Sequence, residues 1–155
     1  MLLLLDASAI LNEPNFSFDS NNEYITTQLV LNEMKSIESK HLTENALYHG
    51  LLKIQNPNAE TTKKILKLIS EKGFKPLSKA DVSVIALAVE FKEGLKIFKV
   101  LTDDFSIQNF LKLLKIDFSS IIQGEIKEVI SFNKKCSGCS QEVDSDFNSK
   151  QIKKM

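Results

Sequence analysis

Short apolar runs alternating with helix-patterned stretches predict an α/β fold, a central, mainly parallel sheet flanked by helices. Three observations carry it. The chain opens on an unbroken apolar run at 2–5, too short for a helix and suited to a strand buried on both faces. Lys96–Leu101 reads as another strand. Between them, Val82, Ile85, Ala86 and Val89 form one apolar stripe at helical spacing. Strands separated by helices pair in parallel, and such sheets build their sites outside the carboxyl ends of the strands.

In chain order, the first strand closes on Asp6. Ala7–Leu11 is a brief helix, and Pro14–Asn22 an exposed polar loop. Glu23–Thr26 is a second short strand, and Thr27 caps a helix from Gln28 to about Lys40. Leu51–Gln55 is a strand ended by Asn56-Pro57, and Asn58–Lys72 a helix stopped by Gly73. Ser78 begins the clearest helix, with Gly94 just beyond its end. After the Lys96–Leu101 strand comes a helix from about Asp104 to Leu114, and then an extended Ile116–Ile122. Residues 124–132 fit either state. Past Phe132 the chain turns polar, so the predicted division is a folded domain at 1–122, a connector at 123–135 and a tail at 136–155.

Composition narrows the function classes. With 43% apolar residues and 10 Phe the chain can fill a core, which excludes wholesale disorder. The MLLLL start has neither a cationic flank nor the length of a signal or membrane segment, so a cytoplasmic protein with no membrane association is expected. Its charge sums to zero but is unevenly spread. Residues 1–33 hold five acids and no Lys, whereas 34–79 hold nine Lys against four acids. An acidic site beside a Lys-rich flank suits a metal centre handling a polyanion, although a solvated helix face has the same pattern. Arg is absent, so any phosphate contact is a point-charge contact without the bidentate fork.

Acids stand at the ends of apolar elements or along a core-facing stripe: Asp6, Glu33, Asp81, and the pair Asp103 and Asp104. Several have ordinary roles open to them. Asp6 and Asp103 or Asp104 can cap the helices that follow, and Ser78 with Asp81 has capping-box spacing. Glu33 is different. On a continuous helix it neighbours Leu29, Val30 and Ile37, which points it along an apolar stripe with no Arg to pair it. Carboxylates gathered in one cleft repel unless a divalent cation lies among them, which makes Mg²⁺ or Mn²⁺ the expected cofactor. His41 and His49 lie in a polar stretch away from the acids and read as surface residues. Phe105 can stack on a base or be buried at the helix start, with burial the preferred expectation.

The stretches LLLLDASAIL, LSKADVSVIALAVEF and VLTDDFSIQNFLKLLKIDF, with Glu33 between the first two, resemble a PIN-domain nuclease over about residues 1–120. The run LTDDFSIQNF followed by KCSGC is similar to the Nob1 family of ribosome-biogenesis endonucleases. That resemblance implies a metal-dependent endoribonuclease that cuts single-stranded RNA, maturing the 3′ end of small-subunit pre-rRNA alongside ribosome assembly factors. Asp6, Glu33 and Asp81 match the main acids of the family. Asp103 or Asp104 supplies the fourth, with Ser8 and Thr102 positioning ligands or water. Lys residues of 34–79, with Lys134 and Lys135, would hold the RNA backbone. A toxin-type PIN ribonuclease and a non-catalytic RNA-binding assembly factor are the alternatives.

Cys136 and Cys139 have the spacing of half a zinc ribbon. The family pattern places a second pair further on, and none follows before Met155. Two thiolates do not close a tetrahedral site, so Zn²⁺ here would need ligands from elsewhere. Truncation or loss of the second pair is the expectation.

Overall fold

A computed structural model describes residues 1–11 and 16–121. In chain order the elements are β1 (Leu2–Leu5), α1 (Ala7–Leu11), β2 (Glu23–Thr26), α2 (Gln28–Leu31), α3 (Ile37–Tyr48), β3 (Leu52–Ile54), α4 (Ala59–Lys72), α5 (Lys79–Glu93), β4 (Phe98–Leu101), α6 (Phe105–Leu113) and β5 (Phe118–Ser119). The five strands form one sheet in the order β3-β2-β1-β4-β5, every pair parallel. The predicted α/β class and parallel pairing both hold.

The apolar run at the amino terminus is a strand because helices cover both of its faces. Leu3, Leu4 and Leu5 are all buried, as expected of a short strand covered on both faces. Helix α5 is the other half of the core. Residues 82–88 are buried without a break, so this helix is enclosed and its stripe is wider than one face. Its capping box forms as the spacing predicts: Asp81 N donates to Ser78 Oγ at 3.1 Å, and Ser78 N to Asp81 Oδ2 at 3.4 Å. In α4, Thr61, Ile65 and Ile69 face inward while its Lys residues stay in solvent. Gly73 ends α4 at φ 72°, a left-handed conformation that costs a residue with a Cβ.

Two expectations are corrected. The helix from Gln28 to Lys40 is two helices. Asn32 closes α2, and Ser36 starts α3 with its hydroxyl accepting from Ser39 N at 3.0 Å, an alternative to continuing the helix through 32–36. The stripe assigned to Glu33 therefore does not exist: Leu29 is 40% and Ile37 71% exposed, and Met34 is buried instead. The second correction concerns the loop at 14–22. Within it, Phe16 and Phe18 are half-buried and pack edge-on with Tyr24, at ring-centroid distances of 6.3 and 4.9 Å. The predicted connector, the tail, Lys134, Lys135, Cys136 and Cys139 lie outside the described residues.

Candidate active site

The strand order reverses between β1 and β4, since each connects outward to a different side of the sheet. A crevice opens at such a switch point, beyond the carboxyl ends of the two strands. Leu5 pairs with Leu101 in the register, so the next residues, Asp6 and Thr102, stand side by side. Asp6 is 1% exposed and Thr102 fully buried.

Asp6 is held through one oxygen only. Its Oδ2 accepts from Ser8 Oγ at 2.7 Å, Thr102 Oγ1 at 2.9 Å and Ser8 N at 3.3 Å. An ionised carboxylate only accepts, so each hydroxyl donates to it while also accepting a backbone N–H. Asp103 N donates to Ser8 Oγ at 2.9 Å and Asp104 N to Thr102 Oγ1 at 3.1 Å. A hydroxyl has one proton, so with Asp6 ionised both are directed at Oδ2, and the 3.3 Å contact between Ser8 Oγ and Thr102 Oγ1 is secondary. The other oxygen, Oδ1, is buried with no hydrogen-bond partner among the described residues. Burial raises the acid of Asp6 above its ordinary value, and donors from Ser8, Thr102 and the backbone of Ala7 pull it partly back.

Asp81 reaches the same region from the first turn of α5. Its acid is raised to about 6, first by burial and then by the charges of Asp6 and, more weakly, Asp104. Three carboxylates from three parts of the chain therefore share one field. The capping role of Asp81 and its place in that field are compatible.

The two adjacent acids after β4 do different things. Asp104 Oδ1 accepts from Ser106 N at 2.8 Å, which caps α6 and leaves Asp104 in the field of Asp81. Asp103 Oδ1 accepts from Ile121 N at 2.9 Å and from Ser120 Oγ, tying the end of β4 to the end of β5. Glu33 is half-buried in the turn after α2, and its carboxylate shares no hydrogen bond or ion pair with the other acids among the described residues. The α2 helix before it is clamped to α5 by a hydroxyl pair, Thr27 Oγ1 and Ser83 Oγ at 2.8 Å.

Among the described residues no group of three or more His, Cys, Asp or Glu is spaced to hold a metal ion by itself. Mg²⁺ does not require such a group, because it keeps several waters and takes only one or two carboxylates directly. An all-oxygen set with one bare buried oxygen fits a hard cation. His41 and His49 are exposed, as expected. No described helix is long and apolar enough to cross a membrane.

Two supports were not foreseen. Gln108, buried on α6, donates from Nε2 to Thr102 O at 2.8 Å and so fixes the loop that carries Asp103 and Asp104. Its signal was a polar residue beside Ile107 on an otherwise apolar face. Ser120 gave no signal, since its role depends on the β4–β5 register.

Comparison with known proteins agrees with this geometry. Residues 3–91 match the family model described as the PIN domain of ribonuclease. The chain is 36% identical to the Endoribonuclease Nob1 of Methanothermobacter thermautotrophicus, over 95% of its own length and 84% of that protein. It is 35% identical to the protein of that name from Methanocaldococcus jannaschii, covering 93% and 68% of the two chains. With that of Pyrococcus abyssi the identity is 31%, over 90% and 83%. The parallel sheet, the acids at its switch point and relatives aligned along nearly the whole chain agree, and the protein belongs to the Nob1 family of PIN-domain endoribonucleases.

Proposed function

We propose that this chain cuts single-stranded RNA with the help of Mg²⁺ or Mn²⁺, its substrate being the 3′ end of small-subunit pre-rRNA. The observation that carries the reading is the state of Asp6. It is a buried carboxylate with one oxygen saturated by fixed donors and the other bare, inside a field shared with Asp81 and Asp104. Such an arrangement costs stability when empty and is relieved by a cation.

Asp6, Asp81 and Asp104 would hold the cation, with Glu33 as the fourth acid. Bound there, it would supply charge neutralisation at the phosphoryl oxygens and a more acidic water. The side chains of the protein do the positioning. Ser8 and Thr102 keep Oδ2 occupied and so leave Oδ1 for the cation. Asp103 and Gln108 hold the loop that presents Asp104. Exposed Lys residues such as Lys63, Lys64 and Lys67 on α4 attract the backbone of the RNA, each as a point charge.

The test is cleavage of a single-stranded RNA spanning the 3′ end of small-subunit rRNA in Mn²⁺, with Asp6→Asn alongside. Cutting by the native chain and none by the variant is expected. Equal cutting by both would remove Asp6 from the chemistry, and no cutting by either would count for a non-catalytic RNA-binding factor.

A further inference from the structure

Phe105 follows Asp104 directly, yet it is 69% exposed, against the expected burial at the start of α6. Phe98, Phe110 and Phe118, which flank it in the chain, are all buried, so Phe105 stands apart from them. It lines a groove of about 300 Å³ together with Phe74, Lys75, Leu77, Ser106 and Asn109. Local geometry builds the groove. The left-handed turn at Gly73 folds Phe74 back, its N–H donating to Ile69 O at 3.2 Å, and its ring rests 4.8 Å from that of buried Phe110. Asn109 lies one helical turn after Phe105, on the same face of α6.

The groove adjoins the acids through the chain itself. Phe105 is joined to Asp104, and Leu77 to Ser78, the cap that binds Asp81. We propose that this groove binds one nucleobase of a single-stranded RNA, adjacent to the phosphate that lies at the acids. Phe105 stacks on the base, Lys75 meets the backbone, and Asn109 offers an amide to the base edge. The combination of an exposed ring, a cation and an amide matches a nucleotide, whereas an apolar peptide would leave Lys75 and Asn109 unused. The proposal rests on the ribonuclease reading and names where its substrate is held.

The chain contains no Trp, so Phe105→Trp places a single indole in the groove. The full-length variant is titrated in EDTA with a short single-stranded oligoribonucleotide, and with the same backbone made abasic. Quenching by the base-bearing strand alone is expected. Equal responses to both strands, or none to either, would overturn the proposal. In Mn²⁺, Phe105→Ala should raise KM about tenfold with kcat nearly unchanged, and Phe105→Tyr should restore it. An unchanged KM for Phe105→Ala would also overturn it. Quenching without any cleavage by the native chain would instead retain the groove and refute the nuclease reading, so the two failures are separable.

Discussion

The two ends of the sheet treat charge in opposite ways. At the amino end, a groove of about 260 Å³ is lined by Lys92, Lys96 and Lys115 together with Asp117 and the apolar Ile97, Phe98 and Ile116. There Lys92 Nζ donates to Leu114 O at 2.6 Å and Lys115 O at 3.3 Å, where free carbonyls end α6. Lys96 Nζ lies 5.2 Å above the ring of Phe91. Lys92 and Lys96 are exposed and have partners, so they help the fold at little cost. At the carboxyl end, Asp6 is buried with a bare oxygen and Asp81 is opposed by its neighbours. Asp81 and Asp104 cap helices there, but their mutual repulsion and the burial of Asp6 work against the fold, a pattern more typical of functional sites than of stabilising surface charge.

Removing a carboxylate at the acidic end should have the largest effect. Asp6→Asn should lower single-turnover RNA cleavage by roughly 10²–10³-fold, the scale of losing one preorganised electrostatic contact. Its melting temperature without metal at pH 7 should equal or exceed that of the native chain. A variant that instead melts lower and keeps its activity would assign Asp6 to the fold.

The paired acids after β4 should separate next. Asp104→Asn is expected to lose activity at least tenfold with little change in folding. Asp103→Ala should lose stability, by about 1–3 kcal/mol in urea unfolding, because Ile121 N and Ser120 Oγ lose their shared acceptor. Reversed outcomes would exchange their roles.

Thr102→Val should cost about 10–100-fold in activity, as loss of a group that orients a ligand does. It removes a donor that favours the charged form of Asp6, so its activity should also begin at higher pH. A pH–rate profile reads both effects.

Stability should vary with pH in a way that metal reverses. Asp81 is raised from 3.8 to about 6 in the folded state, so its contribution is intact below about pH 4 and lost as pH rises through 6. Thermal melts of the metal-free chain should fall by a few degrees over that interval. Saturating Mn²⁺ should flatten the curve. The smallest effect should come from the amino end: Lys92→Met should cost about 0.3–1 kcal/mol by thermal melting and leave cleavage unchanged.

Much of this was legible in the chain because the signals were local. Capping boxes, a glycine stop and an unbroken apolar run each depend on a few adjacent residues, and α4, α5, β1 and β4 stand close to where those signals place them. Glu33 was misplaced on a continuous helix because Asn32 and Ser36 break the chain there, and helical spacing through Ile37 looked continuous without them. That Asp103, and not Asp104, ties β4 to β5 was not legible. It depends on Ser120 and Ile121, which are distant in sequence and meet Asp103 only through the β4–β5 pairing. Phe105 was misjudged for a related reason, since burial at a helix start depends on what faces it across the fold.

Binding of Mn²⁺ at pH 7, followed by the loss of its free-ion electron paramagnetic resonance signal, probes the acidic cluster without requiring any RNA. The native chain should take up the ion with an affinity that falls as the solution is brought toward pH 5, and Asp6→Asn should take up little. Uptake that is absent in the native chain, or equal in both proteins, would mean that these carboxylates do not gather around a cation.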